Sequence, residues 1–224
     1  MQHQPETPKG GCNMNKKLKL SIIALTLAMG IGFTMSNSVE AGSALDLNAK
    51  APKAEVKMKG VDGAWHTLKD VAGEKGTLVL FSCNACPWVK KWEDRMSSIG
   101  NTYQTKGVGV IMINANDPNK VAEDGYDEMV ARAKAKAFGF PYVVDATSEV
   151  ARAFGATRTP EAFLFDAKGK LIYHGAIDDN ASDAKAVDVP YLKNALNALI
   201  AGESIPKAQT KALGCSIKFR SEDS

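Results

Sequence analysis

Two thiols stand three residues apart in Cys83-Asn84-Ala85-Cys86. That spacing lets them close a disulfide, and a thiolate attack followed by internal resolution is thiol–disulfide exchange. The motif sits between two elements with distinct patterns. Thr77 to Phe81 is a continuous apolar run bounded by turn signals, the mark of a strand buried on both faces. From Pro87 to Tyr103, residues Trp88, Trp92, Met96, Ile99 and Tyr103 recur at helical spacing among charged residues. Pro87 suits the first turn of a helix, where its missing N–H costs nothing. A helix N-terminus presents unpaired N–H groups and a partial positive charge, both of which stabilise a thiolate. The order strand–CxxC–helix predicts Cys83 as the more exposed nucleophile and Cys86 as the resolving thiol. Two blander readings compete, an inert structural disulfide and half of a zinc site. The zinc reading lacks a second Cys/His pair at ligand spacing.

Other residues carry weaker signals. Cys215 is either a third thiol that receives the disulfide from Cys83 or a packed tail thiol, since free cysteines are often buried and inert. Glu161 reads as a solvated strand-edge acid or as a residue that tunes the pair. His174 could complete a copper site with Cys83 and Cys86, which would make the chain a metallochaperone; a lone strand histidine is more often structural. Asp178 and Asp179 fit turn or capping work better than a catalytic carboxylate pair. Trp88 and Trp92 read as packing on the helix, with Trp88 at the rim of the site. No Ser/His/Asp set or phosphate loop is recognisable, and no metal or organic cofactor is expected.

The 224 residues suit one well-buried domain or two small ones. Hydrophobic residues are 45% and charged residues 24%, which excludes a collagenous, low-complexity or acidic disordered chain. A net charge of +3 carries no footprint for nucleic acid. Much of that surplus lies in one segment. Lys16, Lys17 and Lys19 precede an uncharged, mostly apolar stretch from Leu20 to Phe33, and Val39-Glu40-Ala41 offers a cleavage site. This is the layout of a secretory signal, with Met14 as a possible start and an uncleaved membrane anchor as the alternative. Domain bounds follow: a leader over 1–41 and a single domain over 42–224, with a polar tail over 203–224. Loss of the leader removes four lysines and two glutamates, leaving 24 basic and 23 acidic residues. It also removes Cys12, leaving three cysteines, an odd count that points to a free or exchanging thiol in an exported protein.

Along the remaining chain, Glu55–Lys59 and Ala64–Leu68 read as a hairpin. Gly107 to Asn114 is a second buried strand, Asp127 to Phe138 a helix, and Tyr142 to Val144 a short strand. Ser148 is a candidate N-cap for a helix reaching Phe154. Ala162–Phe165 and Lys170–Tyr173 form a second hairpin, and Pro190–Ile200 a terminal helix ended by Gly202. Alternating strands and helices closed by a hairpin argue for an α/β sandwich, a mixed sheet flanked by helices.

The order strand, CxxC, helix, strand, helix, Thr159-Pro160, hairpin resembles the thioredoxin-like superfamily. Cys83-Asn-Ala-Cys-Pro87, Tyr173-His-Gly-Ala-Ile-Asp-Asp-Asn180 and Gly214-Cys-Ser-Ile-Lys218 are similar to a bacterial redoxin subgroup, in the alkyl hydroperoxide reductase/thiol-specific antioxidant branch. The resemblance spans about residues 50–219. It implies a three-layer thioredoxin-like sandwich and a cis peptide at Thr159-Pro160. It also implies that Pro160 packs on the CxxC, and that the Thr159 backbone pairs with an extended substrate. The expected activity is reduction or exchange of protein disulfides or hydroperoxides, reset by an external thiol reductant, outside the cytoplasm. Departures are visible too. Ser82 replaces the tryptophan before the first cysteine, and Thr77 stands where thioredoxins carry a buried acid. Peroxiredoxins place a threonine three residues before the peroxidatic cysteine; Leu80 holds that place for Cys83, and Cys83 holds it for Cys86.

Overall fold

A computed structural model of the protein describes residues 44–221, all within one compact unit. The leader expected over 1–41 lies outside these residues. No helix among the described residues is long and apolar enough to cross a membrane.

Seven strands form one mixed sheet. They are β1 (Met58–Gly60), β2 (Trp65–His66), β3 (Gly76–Phe81), β4 (Val108–Asn114), β5 (Tyr142–Val144), β7 (Glu161–Asp166) and β8 (Leu171–Gly175), ordered β2-β1-β5-β4-β3-β7-β8. A separate ribbon pairs β6 (Arg158–Thr159) with β9 (Cys215–Ser216). The apolar run of β3 takes an interior place, parallel to β4 and antiparallel to β7. Its side chains alternate between two buried layers. Leu78 and Leu80 meet α1 (Pro87–Gln104), α2 (Tyr126–Ala135) and α4 (Tyr191–Ala201) through Trp92, Met96, Met129 and Leu196. Val79 and Phe81 meet α3 (Glu149–Phe154) through Val150 and Phe154 on the other face. Phe81, Phe154 and Phe163 pack edge to face, with ring centroids 5.2–5.6 Å apart. Helices on both faces of a mixed sheet are the layered α/β arrangement expected.

The differences are local and have physical causes. The first hairpin is shorter than its alternation suggested, and β1 turns its outer edge to β5 and so joins the main sheet. α2 stops at Ala135, because Ala137 enters the left-handed region at φ 51 and Phe138 turns back to stack on Phe140. Ser148 holds the N-cap position of α3, but its side chain does not cap the helix. The residue is itself left-handed, and its hydroxyl bridges Ala115 O and Arg220 N, while Asp145 accepts the Ala151 N–H. The largest difference is the tail. Residues 203–221 return across the domain, with Thr210 held by His174 and Tyr173, Ile217 buried, and Lys218 bonded to Asn116 and Asp117.

Candidate active site

Cys83 and Cys86 lie in the connection from β3 to α1 and are both buried, at 3% and 4% exposure. Pro87 is the first residue of α1, so Cys86 is its N-cap. Cys83 is one turn further out, in the loop. The expectation that Cys83 is the more exposed thiol at the helix start is therefore not what the fold presents. The helix begins after Pro87, and its positive end faces Cys86. The signal was in the sequence, since a proline at the first helical position puts the preceding residue at the cap.

Protonation follows this placement. Cys83, as S–H donor, pulls the Cys86 thiol down to about 4, helped by Cys215 and by the N–H groups of Val89 and Cys215 against the opposing effect of burial. Cys83 is pushed up because it keeps the shared proton, because it is buried, and because Asp124 is near. The two sulfurs share a proton, with the Cys86 thiol drawn below and the Cys83 thiol pushed above the ordinary value. All three cysteines among the described residues are free thiols.

Thr159 lies against both sulfurs. Its Oγ1 is 3.3 Å from Cys83 Sγ, and its carbonyl oxygen is 3.2 Å from Cys86 Sγ. The Thr159–Pro160 bond is cis. Glu161, expected as a solvated acid, is buried behind this turn. Its Oε2 accepts the N–H groups of Thr157 and Arg158 at 2.9 Å each, and its Oε1 meets His174 Nε2 at 2.6 Å. His174 also stacks on Phe163. It is thus occupied in β8, and no group of three His, Cys, Asp or Glu residues among the described residues is arranged to hold a metal. Cys215 stands opposite Thr159 in the β6–β9 ribbon and packs against the core cluster that contains Cys83 and Cys86. Of the two readings offered for Cys215, a third thiol or a packed tail thiol, the fold brings it into the core that holds both Cys83 and Cys86.

A family model described as the AhpC/TSA family matches residues 47–174. The chain belongs to the AhpC/TSA family. Similar curated proteins are thiol-disulfide oxidoreductases ResA. That of Geobacillus thermodenitrificans (strain NG80-2) is 27% identical over 164 residues, 70% of this chain and 87% of that protein. That of Bacillus subtilis (strain 168) is 27% identical over 163 residues, 71% and 86% of the two chains. Among solved structures, a conserved protein of Geobacillus kaustophilus is 35% identical with a TM-score of 0.73, covering 78% of this chain and 93% of that one. A protein of Sinorhizobium meliloti 1021 is 31% identical with a TM-score of 0.74, covering 80% and 97%. This AhpC/TSA protein is a redoxin-type thiol-disulfide oxidoreductase of thioredoxin-like fold.

Residues that sequence reasoning missed support the AhpC/TSA dithiol from behind. Asp124 follows β4 in a loop and accepts the amides of Asn84 and Ala85 at 2.5 and 3.3 Å, and Asn116 Nδ2 at 2.8 Å. Asn84 also donates to Glu123 O and accepts from Tyr142 Oη. The only local hint was an acid in a polar loop after a strand. Asp178 is a buried anchor for α1, accepting the Trp92 indole N–H at 2.7 Å and the Arg95 guanidinium at 2.5 Å. Asp179 accepts the Asp188 and Val189 amides, which is turn work. Trp88 stacks on Trp92 at 6.0 Å on the first turns of α1.

Proposed function

We propose that Cys83 and Cys86 form the catalytic dithiol, that Cys86 opens the reaction, and that protein disulfides are its substrate class. The observation that carries this reading is the position of Cys86 at the N-cap of α1, where the positive end of the helix faces its sulfur. The Cys86 thiolate attacks one sulfur of a substrate disulfide and expels the other as a thiolate. The Cys83 thiol then loses its proton and attacks Cys86, closing Cys83–Cys86 and releasing the second substrate thiolate. Two electrons and the one proton of the pair pass to the substrate, water supplies the second proton, and an external dithiol restores the pair. Thr159 and Pro160 serve as the substrate-binding turn, with an extended peptide lying along the Thr159 backbone. A disulfide is favoured over a hydroperoxide because Cys83, a weak hydrogen-bond donor, stands where a peroxide-holding threonine would be needed.

The lysine-led apolar segment over 16–33 supports export, with 42–224 as the working domain. The test is single-turnover reduction of a protein disulfide by the reduced protein, followed by tryptophan fluorescence. Cys86→Ser is expected to abolish the first step. Cys86→Ser reacting at the wild-type rate would sink the reading.

A further inference from the structure

The tail does more than close the domain. β9 runs antiparallel to β6, with Thr159 opposite Cys215 and Arg158 opposite Ser216. Ile217 N donates to Thr157 O at 3.0 Å, and Arg158 Nη1 donates to Gly214 O at 3.4 Å. The approach at the turn is close. A Cβ on Gly214 would lie 2.2 Å from Thr159 O and 3.2 Å from Pro160 N, so only glycine lets this strand reach the cis turn. The chain is tied down on both sides of the contact, by Thr210 against His174 and Tyr173 and by Lys218 against Asn116 and Asp117. Between those ties, the ribbon pairs Cys215 with Thr159, whose carbonyl oxygen lies 3.2 Å from Cys86 Sγ, and packs it on the core that holds both buried thiols.

We propose that residues 214–217 are a tethered substrate strand, and that Cys215 draws the disulfide out of the buried Cys83–Cys86 pair by attacking Cys86. This rests on the dithiol reading above and extends it. The step balances without an added reagent. The Cys215 sulfur bonds to Cys86, the Cys83–Cys86 bond breaks, and Cys83 leaves as a thiolate that takes up the proton Cys215 gives. The product is a Cys86–Cys215 disulfide and a Cys83 thiol, with no net change in oxidation state.

Access gives the step its purpose. Cys83 and Cys86 are sealed from solvent, whereas Cys215 is partly exposed. Moving the disulfide to Cys215 brings a sulfur to the surface, where an external dithiol can attack it. The Cys215 thiol is held up, to about 11, by burial and by the neighbouring Cys86 sulfur. Once Cys86 is in a disulfide it carries no charge, and that second cause vanishes as the attack falls due. Tethering also keeps the competing external peptide off the Thr159 edge until the strand lifts.

The test oxidises the full chain with one equivalent of diamide, which takes two electrons and two protons from a pair of thiols. Acid quenching and mass spectrometry under non-reducing conditions then map the bonds. Wild type is expected to contain both Cys83–Cys86 and Cys86–Cys215, Cys83→Ser only Cys86–Cys215, and Cys215→Ser only Cys83–Cys86. If Cys215→Ser closes its bond while neither wild type nor Cys83→Ser forms Cys86–Cys215, the relay is overturned and the dithiol stands. If Cys215→Ser forms no bond, the dithiol reading falls and takes the relay with it. Gly214→Ala keeps all three thiols but pushes the strand off the turn. It is expected to slow formation of Cys86–Cys215 several-fold and to speed mixed-disulfide formation with oxidised glutathione several-fold. Wild-type rates on both counts would overturn the tethered strand, even if Cys83→Ser fails to fold.

Discussion

Asp124 Oδ1 lies 2.5 Å from the Asn84 amide nitrogen, so the dipeptide between the two cysteines hangs from a carboxylate 40 residues along the chain. The same oxygen takes the Ala85 amide, and the second oxygen takes Asn116. That loop is set by one buried side chain reaching from the helical turn between β4 and β5. The loop in turn sets the distance between the thiols.

Asp124→Ala leaves buried donors unpaired at Asn84, Ala85 and Asn116. It is expected to destabilise the reduced protein by about 2–4 kcal/mol, since each buried unsatisfied group costs roughly 1–3 kcal/mol. Asp124→Asn keeps an acceptor for the amides and is expected to cost less than half as much. Urea midpoints of the two variants decide the matter; equal midpoints would mean that the carboxylate does not hold the loop.

Alkylation by iodoacetamide reads the order of the thiols. The partly exposed Cys215 is expected to react with a pH midpoint near 11, because burial and the Cys86 sulfur hold its thiol up, and the buried Cys83 and Cys86 are expected to react more slowly than an exposed thiol at the same pH. Peptide mapping after timed alkylation measures both. Full alkylation of Cys215 at pH 8 at the rate of a free cysteine would show that the ribbon does not hold it.

The same pair makes stability depend on pH. The Cys86 thiol falls from 9.0 to about 4 on folding, so its contribution is full above 9 and is lost as pH falls toward 4. Cys83 moves the other way, and its contribution is present below 9 and lost as pH rises past it. Stability of the reduced protein from this pair is therefore expected to climb from pH 4 to 9 and then decline. The difference between wild type and Cys86→Ser in denaturant titrations at several pH values checks this; a flat difference would refute it.

Glu161 holds two amides of the strand before the cis turn and the imidazole of His174. Glu161→Ala is expected to destabilise the fold by roughly 3 kcal/mol, as loss of a buried charged partner does. It is also expected to slow disulfide reduction, because β6 loses its support. A variant with wild-type stability would show that the turn is held by backbone alone.

Gly100 faces Phe140 across the α1–β5 side of the core, and a Cβ there would lie 2.1 Å from the ring. Gly100→Ala is expected to cost about 1–3 kcal/mol from overpacking, against the small gain that alanine gives an exposed helix site. Thermal unfolding measures the balance, and a raised midpoint would show that Phe140 can move aside.

Much of the framework was legible in the residues because short-range rules govern it. An uninterrupted apolar run at 77–81 has no choice but a doubly buried strand, and an apolar stripe from Trp88 to Tyr103 has no choice but a helix. The pairing of two cysteines across that junction is equally local. The helix start is local as well, and Pro87 marks Cys86 as its cap, although the CxxC pattern drew attention to the first cysteine.

What the chain could not show is what lies beside what across long separations. Gly214 and Cys215 sit in a polar stretch with no periodicity, and nothing near them in sequence reveals that they pair with Arg158 and Thr159. Asp124 looks like any loop acid until β4 and β5 bring it under Asn84. Glu161 reads as a surface charge because strand alternation cannot tell an edge from a buried turn. Sequence alone determined the chemistry available, a thiol pair at the head of a helix in an α/β sandwich. The tertiary structure decided which cysteine stands at the helix cap and which third thiol is brought into the core beside the pair. Those depend on dipoles, hydrogen-bond donors and close approaches that exist only once distant segments are packed together.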